Sequence, residues 1–111
     1  MNSISAGLAL GHPSEVAFGA TVLGRPHFFY GRNTHAYHEA FRCRSDDGVD
    51  LRIVDNVGLA PPVPVAPGDV IRVQGELVPA ALGGPLVHWT HHDPHGRHPD
   101  GFIELDGRRY A

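Results

Sequence analysis

Glycine and proline punctuate this chain so often that its apolar runs stay short. Fourteen glycines and ten prolines fall within 111 residues. Between them, apolar and polar residues tend to alternate, which places every second side chain on the same face of an extended segment. Many short alternating runs separated by turn formers favour an all-β domain over a helical bundle. The length allows one domain over 1–111, with a single modest core.

Along the chain, residues 1–13 are weakly patterned and fit a frayed N-terminal tail or a short first strand. EVAFGATVLG then sets Val16, Phe18, Ala20 and Val22 on one face, with Gly19 available for a bend. Gly24 to His38 is aromatic but framed by glycines and Pro26, and reads as an irregular connection. In it, Phe28, Phe29 and Tyr30 cover the open end of a barrel or form a stacking surface. EAFRCRS and VDLRIVD, joined at Asp46-Asp47-Gly48, read as a hairpin with Arg42, Arg44 and Arg52 on its outer faces.

Asn56 to Gly68 carries four prolines and is expected to cross as an extended segment, with a helical turn near Val57 to Ala60. Pro67-Gly68-Asp69 turns into VIRVQGELV, the clearest strand of the chain. FIEL and RRY close it as a hairpin around Asp106-Gly107, a pair suited to a type I′ turn. Five to seven such strands with one proline-bearing crossover suggest a small oligonucleotide-binding-like (OB-like) barrel. A β-sandwich is the alternative.

One segment does not follow from packing. LVHWTHHDPHGRHPDG, residues 86–101, holds five of the nine histidines, at 88, 91, 92, 95 and 98, together with Asp93, Arg97 and the single tryptophan, Trp89. A core has little use for that many imidazoles, which are costly to bury without partners. The segment is expected to start as a strand, with His88, Thr90 and His92 on one face and Trp89 and His91 on the other. Asp93-Pro94-His95-Gly96 suits a type I turn.

The same region carries a family resemblance. DLRIVDNVGLAPPVPVAPGDVIRVQGEL followed by VHWTHHDPHGRHPDGFIELDGRRY resembles the bacterial family of unknown function numbered 3465, from about Val16 to Tyr110. The matching positions are His38, Asn56, Glu76, His88, Trp89, Thr90, His91, His92, Asp93, Gly96, Arg97 and His98. Phe102 stands where the family usually has tryptophan, and Gly24 to Tyr37 looks longer and more aromatic. The family name implies no activity, so no catalytic residue is carried over.

Three chemistries suit these residues. Imidazoles and a carboxylate can bind a divalent metal ion, with His91, His92, Asp93 and His98 as the candidate ligands. His88 and His92 would lie about 13 Å apart along a strand and cannot share an ion unless it bends. Alternatively, His38, His92, Asp93 and His98 can divide acid–base work on a phosphodiester, with Asp93 orienting a histidine. Without catalysis, Asn56, His88, Trp89, Thr90 and Arg97 can bind a phosphate-containing ligand such as a nucleotide or nucleic-acid end. Opposed to all three is a structural reading, in which the histidines and Asp93 form a hydrogen-bonded corner around the turn and Trp89 belongs to the core.

Composition narrows the setting. The net charge of −3 argues against a protein held on long nucleic acid by bulk charge, though not against a small anion. All nine cationic residues are arginine, whose planar fork suits phosphate or carboxylate. Cys43 is the only cysteine, which excludes an internal disulfide. MNSISAGLALGHPSE lacks the basic start and long apolar centre of a secretory signal, and no run reaches membrane-spanning length. The expectation is a soluble cytoplasmic protein.

Overall fold

The computed structural model describes residues 3–111. A short helix α1 (Ile4–Leu10) is followed by strands β1 (Ser14–Val22), β2 (His27–Gly31), β3 (Ala36–Ser45), β4 (Asp50–Asn56), β5 (Val70–Val78), β6 (Leu86–His88), β7 (Phe102–Leu105) and β8 (Arg108–Tyr110). Five of them close on themselves in the order β1-β3-β4-β6-β5 and back to β1. All neighbours are antiparallel except β4 and β6, which run parallel. The result is an all-β, OB-like barrel, as the strand pattern suggested.

Alternation builds the core. In β1, Val16, Phe18, Ala20 and Val22 are buried, as are Phe41 and Cys43 of β3, Leu51 and Ile53 of β4, and Ile71, Val73 and Leu77 of β5. Each larger side chain contributes about 1.5–3 kcal/mol through removal from water. Arg42 and Arg44 of β3 face outward, and Arg44 pairs with Asp50 across the hairpin at 2.7 Å. The proline-bearing crossover contributes Val63 and Val65 to the same core. Asp106 (φ 52°) and Gly107 (φ 78°) both take the left-handed conformation that a type I′ hairpin requires.

Three expectations are corrected. Residues 4–10 form neither a tail nor a strand but α1, because Ser3 caps its start by accepting from the Ala6 N–H (3.0 Å) and Ile4 is fully buried. The stretch read as irregular contains β2, which pairs with β3 from His27↔Ala40 to Gly31↔Ala36 and forms a flap off the barrel. Phe28, Phe29 and Tyr30 therefore do not cover a barrel end. They stay exposed, because β2 stands off the barrel path and none of the three side chains joins the core.

The third correction concerns the histidine segment. Strand β6 stops at His88, and Trp89 has a left-handed backbone (φ 56°). Beyond that reversal the alternation read from the sequence no longer holds, and each side chain of 89–98 takes its direction from the loop.

Candidate functional site

After β6 the chain loops from Trp89 to Gly101 before entering β7. Its shape is set by one carboxylate. Asp93 Oδ1 accepts the His95 N–H at 2.9 Å, and Oδ2 accepts the N–H groups of Arg97 and of His98, the latter at 2.9 Å. Burial pushes the Asp93 carboxyl up, but these three N–H donors and the nearby His98 ring outweigh it and hold the group down at about 2. The expected Asp93–Gly96 turn is present, with the Gly96 N–H on the Asp93 carbonyl. At the far end, Gly101 donates to the His91 carbonyl at 2.9 Å and closes the loop.

This loop separates two clefts. The larger, of ≈ 1030 Å³, lies over the outer face of β3 and β4 and is walled by the β2–β3 flap and by the loop. Six of the nine histidines line it, His35, His38, His88, His91, His95 and His98, with Tyr30, Tyr37, Asn56, Trp89 and Arg97. The smaller, of ≈ 490 Å³, lies across β5 and β7 and is lined by Arg72, Gln74, His92, Asp100, Phe102 and Arg109.

The loop therefore divides the predicted residues. His38, Asp93, His98, Asn56, His88, Trp89, His91 and Arg97 come together around the large cleft. His92 does not: its side chain is 63% exposed on the other side, where its Nδ1 meets Asp100 Oδ2 at 2.9 Å. Thr90 is fully buried, with its hydroxyl on Asp55 Oδ1 at 2.9 Å, and lines neither cleft. The four candidate metal ligands are split by the position of His92. Among the described residues, no three His, Cys, Asp or Glu side chains are grouped so as to hold a metal ion.

Within the large cleft the imidazoles are oriented by the backbone. His38 Nδ1 lies 3.1 Å from the Ala36 carbonyl, His91 Nδ1 2.8 Å from that of His92, and His98 Nδ1 2.8 Å from that of Pro99. A carbonyl only accepts, so Nδ1 carries the proton in all three. In the neutral ring Nε2 is then an acceptor; that of His98 lies 3.8 Å from Asp93 Oδ2. Burial pulls the His38 ring below its usual value, against the Ala36 carbonyl, and the neighbouring His91 ring lowers it further. His88 donates instead to Glu76 Oε1, at 2.7 Å.

The rings also pack on one another. Trp89 is sandwiched, with His88 on one face (centroids 4.8 Å, 12°) and His98 on the other (4.3 Å, 4°). Both faces of the indole are thereby covered, so Trp89 holds the loop rather than offering a free platform. Phe29 stacks on His38 at 5.3 Å, while Tyr30 and Tyr37 meet edge to face at 5.2 Å. Both tyrosines remain exposed, at 49% and 61%.

Sequence reasoning missed two groups beneath this cleft. Glu39 and Asp55 are register partners on β3 and β4, and both side chains are buried. Burial pushes Asp55 up to about 7, with Glu39 adding to the effect and the Thr90 hydroxyl opposing it. Glu39 is also raised by burial, against the Val63 N–H that it accepts. The signal was available: Glu39 stands two residues before Phe41 and Asp55 two after Ile53, on the inward rows of their strands.

Over residues 27–111 the chain matches a family model described as a protein of unknown function, DUF3465. No curated protein and no solved structure matches the chain. No helix among the described residues is long and apolar enough to cross a membrane.

Proposed function

Since this chain belongs to the DUF3465 family, whose name assigns no activity, we propose a function from the site alone: the large cleft binds a phosphate-containing ligand, a nucleotide or the end of a nucleic-acid strand. One observation carries this reading. Six histidines and Arg97 line a single cleft whose own carboxylate, Asp93, is already held by three backbone N–H groups, while Glu76, outside the lining, is held by His88. Protonatable and cationic donors thus face the cleft, while its nearest carboxylates are engaged elsewhere. Arg97 is exposed and, among the described residues, makes no ion pair, leaving its planar fork open to phosphate.

The position suits such a ligand. In OB-like barrels, the outer face of the second and third barrel strands and the adjoining loops bind oligonucleotides. Here those strands are β3 and β4, and the flap carries Tyr30 and Tyr37 as exposed rings on which a base can stack. Asn56 points its amide oxygen at the Gly58 N–H (2.9 Å), which leaves the amide nitrogen to contact a ligand. A cytoplasmic setting belongs to this reading, in line with a single, buried, unpaired Cys43.

Calorimetric titration with nucleoside diphosphates and short single strands tests the proposal. Saturable binding that is lost in Arg97→Ala supports it. Binding of equal strength in wild type and Arg97→Ala overturns the assignment of Arg97.

Hydrolysis of a phosphodiester is the second reading, favoured by His38. Its ring is depressed by burial and fixed through Nδ1, so at neutral pH it offers Nε2 as a base beside His91. Turnover of a phosphodiester substrate that disappears in His38→Ala and His98→Ala would establish it. Saturable binding without turnover leaves the binding module.

A further inference from the structure

Ligand binding in the cleft makes no use of the two carboxyl groups beneath it. Glu39 and Asp55 stand directly opposite on β3 and β4, 1% and 0% exposed, with their side chains inside the barrel. Directly opposed strand residues are about 5 Å apart at Cα. The groups facing Asp55 are Glu39 from β3, Thr90 from the loop and the Asn56 backbone on its own strand. The crossover adds only the Val63 N–H, which Glu39 Oε1 accepts at 2.9 Å. No cation is among them. Asp55 Oδ2 is buried and, among the described residues, has no hydrogen-bond partner.

We propose that Asp55 is a positioning residue that latches the 89–98 loop onto the barrel while it keeps its proton, and releases the loop when the proton is lost. The Thr90 hydroxyl lies within reach of two acceptors, Asp55 Oδ1 at 2.9 Å and the Val54 carbonyl at 3.5 Å. In the proposed latched form it turns its hydrogen to Val54 and accepts a hydrogen bond from the Asp55 proton in its place. Both ends of the relay are satisfied without charge. Loss of the Asp55 proton to solvent leaves a buried carboxylate beside Glu39, with only the neutral Thr90 hydroxyl and the Asn56 backbone for compensation. That is a poor exchange for full hydration.

Relief comes from withdrawing Thr90 and admitting water. Thr90 lies between Trp89 and His91, so its withdrawal displaces two of the side chains that line the cleft. Asp55 rather than Glu39 acts as the latch, because Glu39 already holds a backbone donor whereas Asp55 has an unpartnered oxygen. The raised proton affinity of Asp55 places the changeover near neutral pH.

The test uses the whole chain without ligand, so it stands or falls separately from phosphate binding. Amide hydrogen exchange of residues 89–98 is measured at pH 6 and pH 8, corrected for the intrinsic pH dependence of exchange. The wild type is expected to lose about tenfold in protection over this interval, and Asp55→Asn less than about twofold. An equal loss in both proteins overturns the latch and assigns the response to the cleft histidines. If Asp55→Asn does not fold, the carboxyl carbon resonances of the wild type decide. One buried aspartate titrating near neutrality supports the proposal, and the absence of any aspartate titrating well above the usual value of about 4 overturns it.

Discussion

Trp89 and His98 lie face to face, with ring centroids 4.3 Å apart and planes 4° from parallel. The left-handed backbone at Trp89 makes this possible by turning the indole out of the strand and over the loop that returns with His98. The ten-residue stretch from Trp89 to His98 is thereby pinned at both ends by one ring pair, and Asp93 fixes the middle.

Removing the ring pair is expected to show directly in the single tryptophan. In His98→Ala, Trp89 emission should rise and shift to longer wavelength as one face of the indole becomes exposed. Stability in urea should fall by about 1 kcal/mol, the scale of an aromatic pair. Unchanged emission would mean that the stack does not persist in solution.

Asp93 makes the loop dependent on pH from the acid side. Its carboxyl is held at about 2, below the ordinary aspartate value. A group depressed in the folded state contributes stability that is present above its unfolded value and lost as pH falls through the folded one. Below neutrality, the loop should therefore stay intact down to about pH 4 and loosen toward pH 2. Asp93→Ala should loosen it at every pH and lower the melting temperature. A melting curve for Asp93→Ala that coincides with wild type between pH 5 and 7 would remove the carboxylate from this role.

The two clefts can be told apart by substitution. Arg97→Ala is expected to weaken a nucleoside diphosphate by about tenfold or more, the scale of one charge-assisted contact, with no change in melting temperature. His92→Ala, on the opposite side of the loop, should leave that affinity within about twofold of wild type. Calorimetry on the two variants checks both statements. The reverse pattern would move the site to the smaller cleft.

Gly101 should tolerate no side chain. A Cβ there would lie 2.1 Å from the Trp89 carbonyl oxygen and 2.4 Å from that of Gln74. Both are backbone atoms that cannot rotate away. Gly101→Ala is expected to destabilise the fold by about 2 kcal/mol or more and to disturb Trp89 emission. Gly48→Ala serves as the contrast: with nothing within 4 Å of the added carbon, it should show only the strain of its positive φ (89°).

Much of the barrel was legible because strand alternation has a short period. Val16 to Val22, Phe41 with Cys43, Leu51 with Ile53, and Ile71 to Leu77 could each be assigned to the interior from spacing alone. Asp106-Gly107 could be assigned to its turn by conformational preference. Strand β2 was not legible, since HFFYG is nearly all apolar and lies exposed on a flap, so it shows neither alternation nor burial. The first helix escaped because one buried isoleucine and a serine cap leave little pattern in seven residues.

The site was legible as a segment but not as an arrangement. Histidine density marked residues 88–98, and the Asp-Pro-His-Gly turn was readable within it. Which imidazoles share a cleft depends on where β6 ends. Extending the strand past His88 put His92 on the face of His88, whereas the reversal at Trp89 sends His92 to Asp100. The structure then groups His91 and His98 with His38, more than fifty positions earlier in the chain.

By itself, the sequence determined the all-β class, the inward rows of the principal strands and the segment that carries the polar chemistry. These follow from local preferences, namely side-chain alternation, turn formers and the cost of burying imidazole. Tertiary structure alone decided that Asp93 serves the backbone, that Trp89 is enclosed by two histidines, and that Glu39 and Asp55 face each other beneath the cleft. Each of these depends on one backbone reversal or on the pairing register of two strands. Barrel closure sets both, and no local stretch of residues encodes them.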